Sequence, residues 1–144
     1  MAVAYNKIEV FALDLCNKKH DLGADNLDIY LSNAAPSVSA DEVKADILEI
    51  GTGSGYAGPQ DTQNTGAEST GTYTLTGTKV VITASGGTIG PFQYVVLFND
   101  TQSTPLDPLI AWWDRGAALT LQDGESFSIK FNSSDTTGTI LTLA

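Results

Sequence analysis

Apolar residues recur at three- and four-residue steps near the start of the chain, where Ile8, Phe11, Ala12 and Leu15 share one face of a helix predicted over residues 6–19. Asn6 followed by Glu9 has the spacing of a capping box. Lys18 and Lys19 bring positive charge to the helix C-terminus, and Gly23 follows as a stop. Beyond Gly23 the period becomes two. Leu27, Ile29 and Leu31 alternate with Asp28, Tyr30 and Ser32, which predicts a strand covered on one face with Tyr30 on its polar side. Pro36 breaks this run, Ser39 and Glu42 are spaced for a single helical turn over 39–45, and Ile47 to Ile50 lead into a further strand.

Residues 51–71 are rich in Gly, Thr, Ser, Asn and Gln, with Tyr56 and Pro59 as the only large or rigid landmarks, and read as one long loop. A loop of that length in a compact domain is usually functional or mobile. Strands dominate over 71–144: Tyr73 and Leu75, a turn at Gly77, then Val80, Ile82 and Ala84 in alternation. Phe92 to Phe98 is apolar on both faces, as a central strand requires, and Leu109 to Trp113 reads likewise. Asp123-Gly124, suited to the positive φ angles of a tight turn, predicts a hairpin joining Leu119–Leu121 to Phe127–Phe131. Ile140 to Leu143 supplies a last strand. One helix and eight or nine short strands between Gly-rich turns predict a mainly β chain, an antiparallel β-sandwich of jelly-roll-like type, in one domain spanning 1–144.

Composition narrows the function. The formal net charge is −10, from 17 acids against seven bases. Those bases (Lys7, Lys18, Lys19, Lys44, Lys79, Lys130 and Arg115) cluster nowhere beyond the adjacent lysines. Nucleic acid or an anionic membrane needs concentrated positive potential, so neither is an expected partner. Cys16 is the single cysteine, which rules out an intrachain disulfide and suits a reducing cytoplasm. The first seven residues lack the basic and apolar regions of a signal peptide, and no run of eighteen apolar residues suggests a membrane span.

Candidate chemistry is sparse. His20, the only histidine, lies four residues after Cys16, so both could share a helix face as a dyad or half a metal site. The ordinary alternative is a small buried Cys beside a solvated His, and two ligands do not make a zinc site. Asp107, Asp114 and Asp123 are the carboxylates to consider for glycosidase chemistry, but their positions at strand ends and turns are those of turn formers. Gly51, Gly53 and Gly55 lack the Lys-Ser or Lys-Thr of a phosphate loop, and the DTQNTG run from Asp61 has Thr72 where a calcium loop needs Glu. No catalytic, metal or cofactor site is therefore expected. Binding is the remaining class. Trp112 and Trp113, adjacent in a strand, point to opposite faces; they join Tyr30 and Tyr56 as candidate aromatic anchors, with Ala2, Val3 and Ala4 as a candidate N-terminal contact.

Five segments, AYNKIEVFALDL, GTYTLTG, VVITASGGTIGPFQYVVLFND, DPLIAWWDRGAALTLQDGESFSIKF and the closing TILTLA, together resemble a family of small virion structural proteins of tailed bacteriophages. Within that group the chain is most similar to capsid decoration, or cement, proteins. The resemblance implies a β-rich protein made in the bacterial cytoplasm and seated outside the assembled shell, often as a trimer, clamping neighbouring copies of the major capsid protein. It implies no catalytic residue. A neck, tail or fibre-attachment component and a carbohydrate-binding β-sandwich module are the alternative expectations.

Overall fold

The computed structural model describes residues 3–144. The chain opens with β1 (Asn6–Lys7), α1 (Glu9–Cys16) and β2 (Leu27–Ser32), and makes a short 3-10 turn at Lys44–Asp46. Strands follow: β3 (Gln60–Asp61), β4 (Thr65–Ser69), β5 (Thr72–Thr78), β6 (Val80–Thr83), β7 (Ile89–Asn99), β8 (Leu109–Leu121), β9 (Ser126–Ile129) and β10 (Thr137–Leu143). The strands form a five-stranded sheet of order β1-β8-β7-β2-β3, a three-stranded sheet β10-β5-β4 and a two-stranded sheet β6-β9. Every pairing is antiparallel. The two smaller sheets lie end to end. β5 runs into β6 across Lys79, and its partner strand switches from β10, with Thr137 opposite Thr78, to β9, with Ile129 opposite Val80.

The predicted mainly β, sandwich-like architecture with one helix is borne out. Its central strands are the apolar-on-both-faces segments, because the large sheet is buried on both sides. One face carries Ile29, Leu31, Val95, Leu97 and Ala111 into a core shared with Leu75, Ile82 and Ile140 of the smaller sheets and with Phe131 of the 3-10 turn at Phe131–Ser133. The opposite face carries Tyr30, Val96, Phe98 and Leu109 into a second cluster with Ile8 and Ile47. Each fully buried side chain of this size contributes roughly 2 kcal/mol through removal from water.

That second cluster corrects the placement of Tyr30. All six residues of β2 are buried, including those of the supposedly polar face, because the segment through Ile47 folds across them. The helix is also shorter than predicted. Asn6 and Lys7 pair with Trp112 and Ala111 as a strand, so the N-cap falls on Ile8, whose extended backbone offers no side-chain cap. Asn6 instead donates through Nδ2 to the Ala4 and Trp112 carbonyls. At the other end Lys18 takes a left-handed φ of 61°, and the Lys19 N–H closes on the Asp14 carbonyl, ending the helix before the lysine pair.

The 51–71 loop is strand in its second half, where β3 and β4 lie, and β4 turns directly into β5 through Thr70-Gly71. Between Ser39 and Ala45 the expected capping box is absent; the Asp46 carboxylate accepts from the Glu42 and Val43 N–H groups and sets the 3-10 turn one step later. From Ile47 to Ile50 the chain makes only a bridge from Glu49 to Ser32. Gly77 lies within β5, where its bare Cα gives room to Ile140 and the Phe131 ring. The Asp123-Gly124 hairpin is likewise not formed. β8 ends against β7, with Leu121 opposite Ile89, and β9 pairs with β6, so this turn carries the chain from one sheet to the other. It is fastened to the end of β6 by Gly124 N–H to Ala84 O and Ala84 N–H to Glu125 O, both 2.8 Å.

Candidate functional site

Three of the candidate anchors prove to be parts of the interior or its rim. The Tyr30 ring packs edge-on to Phe98, and its hydroxyl donates to the Ile47 carbonyl at 3.1 Å, which staples the covering segment to β2. Tyr56 is 1% exposed; its hydroxyl donates to Glu49 Oε1 at 2.7 Å and accepts from the Leu31 N–H. Glu49 is held in turn by Lys44 at 2.7 Å, and Lys44 lies over the Tyr30 ring. Burial drives the pKa values of both tyrosines far above the ordinary phenol range, so each stays a neutral donor. Trp112 takes the same face as Tyr30 and meets the Tyr94 ring edge-on.

Trp113 points to the other face, as adjacency in a strand requires, and helps build an open cleft. This cleft, about 1010 Å³, opens between the large sheet and the small ones. Its floor is a run of tilted rings: Tyr5 edge-on to Trp113 at 5.8 Å between centroids, and Trp113 to Phe131 at 5.9 Å. Val3 borders it, and Ala4, exposed, lies between Val3 and Tyr5, while Ala2 lies outside the described residues. One wall is β10 from Thr139 to Leu141. Arg115 and Lys130 also line the cleft, and no carboxylate does. Burial raises the Tyr5 phenol to about 12, so this ring too is uncharged. Sequence reasoning located Val3 and Trp113 but missed Tyr5, Phe131 and the β10 wall, which only the docking of two sheets brings together.

The rings do not make a flat platform. Interplanar angles of 72° and 60° leave no shared plane on which a sugar could stack, and Tyr56 is withdrawn into the core.

The cysteine, the histidine and the candidate carboxylates do not converge on this cleft. Cys16 is exposed and His20 is buried, the reverse of the ordinary expectation for the pair. His20 Nδ1 faces the Asn99 amide at 3.2 Å, Asn99 donates onward to Asp25 at 2.6 Å, and His20 Nε2 is buried without a partner. Burial, opposed by Asp25, lowers the imidazole to about 4. The Cys16 and His20 dyad therefore has no support. Asp114 accepts from Gly116 N–H and Gln93, Asp123 from Gly86 N–H, and Asp107 sits at a left-handed φ of 50°, so all three shape turns. Asp61 accepts from Gln63 N–H within its own loop. Gly55 in the GTGSG run has a φ of 95° and lies against the Thr83 carbonyl, a structural contact with β6. Asp28, opposite Asp61 in the ladder, is pushed up to about 6 by burial and by Asp100 and Asp61. No group of three or more His, Cys, Asp or Glu residues among those described is placed to hold a metal ion. Among the described residues no helix is long and apolar enough to cross a membrane.

The chain matches no protein-family model, no curated protein and no solved structure.

Proposed function

We propose that this chain is a structural protein of a tailed-bacteriophage virion, attached to the outside of the capsid as a decoration protein that stabilises the head. The sequence resemblance suggests the setting. The observation that supports a binding role is the aromatic cleft between the sheets, bordered by the N-terminal segment and by an unpaired strand edge. A binder present in many copies needs only moderate affinity per contact, because multivalent attachment multiplies it. In this reading each copy bridges neighbouring major capsid subunits, and the copies assemble with one another, a trimer being the favoured form.

Removal of residues 1–4 takes Val3 from the cleft mouth and leaves the core clusters in place. It is expected to lower occupancy on purified capsids, measured by co-sedimentation, with an unchanged far-ultraviolet dichroism spectrum. Equal occupancy of truncated and intact chains would count against this reading. A neck, tail or fibre-attachment role uses the same kind of surface and is separated by copy number, a few per particle rather than hundreds. The carbohydrate-binding alternative loses its main support in the absence of an aromatic platform.

A further inference from the structure

Both outer edges of the β10-β5-β4 sheet are unpaired among the described residues. Natural proteins usually blunt such edges with proline, lysine, a bulge or a covering loop. β4 has none of these: its sequence is Thr-Gly-Ala-Glu-Ser, its register with β5 is unbroken from Thr65 to Ser69, and all five residues are exposed. A strand with no buried residue gains little from its own fold. At the opposite edge β10, irregular in register only between Thr139 and Leu141, forms the wall of the 1010 Å³ cleft, with Ile140 and Leu141 among its lining.

We infer that the β4 edge of one copy seats against the β10 edge of a second copy, extending the sheet across the subunit boundary. Charge complementarity selects this occupant. Glu68 is the only charged residue of β4. The cleft lining holds Arg115 and Lys130 and no acid, in a chain whose net charge is −10. Lys130 is already paired with Asp135 at 2.5 Å, whereas Arg115 has no carboxylate partner among the described residues and donates only to the Ala117 carbonyl. Arg115 is therefore the cation free to receive Glu68. β4 and β10 both run antiparallel to β5, so copies arranged around an axis along the strands meet through a parallel joint. The joint is head-to-tail, since each copy offers one β4 and one β10, and repetition closes a ring where the rotation permits. The inference concerns how copies join and does not depend on where the assembly is used.

Charge reversal on the full chain tests it, read by sedimentation equilibrium at about 1–100 μM protein, a hundredfold range wide enough to resolve a tenfold change in association. The intact chain is expected to be an oligomer. Glu68→Lys and Arg115→Glu are each expected to weaken association at least tenfold; Glu68→Lys also loses the bond that the Glu68 carboxylate accepts from the Gly71 N–H at 2.6 Å, so Glu68→Gln, which keeps an acceptor there, serves as its control and is expected to weaken association less. The doubly reversed chain, Glu68→Lys with Arg115→Glu, is expected to reassemble, because every joint then pairs opposite charges whatever the number of copies in the ring. A monomeric intact chain would overturn the inference, as would oligomers indifferent to both single reversals, or a doubly reversed chain that stays monomeric. A monomeric chain that binds an acidic peptide such as tetraglutamate only when Arg115 is intact would assign the cleft to a foreign strand, and overturn it equally.

Discussion

Tyr30 and Tyr56 each carry a hydroxyl into the interior and find it a partner there, which makes them sensitive to the loss of one oxygen atom. Tyr30→Phe keeps the ring against Phe98 and forfeits the bond to Ile47; it is expected to cost about 1 kcal/mol, seen as a fall in Tm of about 3 °C. Tyr56→Phe strands the Leu31 N–H and a Glu49 oxygen as well, and is expected to cost about 2 kcal/mol by chemical denaturation. Two buried titratable groups pull the pH dependence in opposite directions. His20 is lowered to about 4 from 6.5, so the unfolded chain takes up its proton first, and stability present above pH 6.5 is lost as the pH falls through 4. Asp28 is raised to about 6 from 3.8, so the folded chain takes up its proton first, and the stability it gives below pH 3.8 is lost as the pH rises through 6. Asp28→Asn, which keeps an acceptor for Asn26, is therefore expected to stabilise the protein at pH 7 by up to about 3 kcal/mol. That advantage should vanish by pH 3.5 in urea melts. An advantage that persisted there would show that desolvation of the charge is not its source.

At the scale of elements the turns decide where strands begin and which sheet they join. Gly55 is the sharpest case, since it combines a φ of 95° with a Cα packed on the Thr83 backbone. Gly55→Ala is expected to cost about 3 kcal/mol, whereas Gly51→Ala, with open space around it, is expected to stay within about 0.5 kcal/mol; thermal melts of the pair separate the two. Much of the element pattern was legible beforehand. The 92–98 and 109–113 runs announced central strands because both sheet faces are buried, and alternation in 27–31 and 80–84 marked strands correctly. What alternation could not reveal was a second layer over the far face of β2, because Tyr30 is amphipathic and the segment covering it has no period of its own. β4 was invisible for a related reason: a strand with no buried residue leaves no apolar signal. The Asp123-Gly124 turn was correctly located, but its partner strands were not, since a dipeptide specifies local dihedrals and not which sheet receives the next strand.

At the scale of the molecule the chain resolves into a large sheet buried on both faces and a long narrow pair of sheets docked against one of them. The cleft between the layers collects a valine from the N-terminus, rings from three distant segments and a free strand edge, which is why the sequence disclosed only part of it. Asp114 and Asp123 are spent on turns, and the one histidine is spent on fastening the segment after α1 to the end of β7. An acidic surface of this kind resists nonspecific adhesion to nucleic acid while leaving specific sheet edges available. Decoration of a phage head by this chain, the role proposed above, is read out by a reconstruction of the virion at side-chain resolution. Density for this fold is expected on the outer capsid surface in hundreds of copies, with the Val3 and Trp113 cleft against a protein neighbour. Density confined to the neck or tail, or none in the particle, would contradict it.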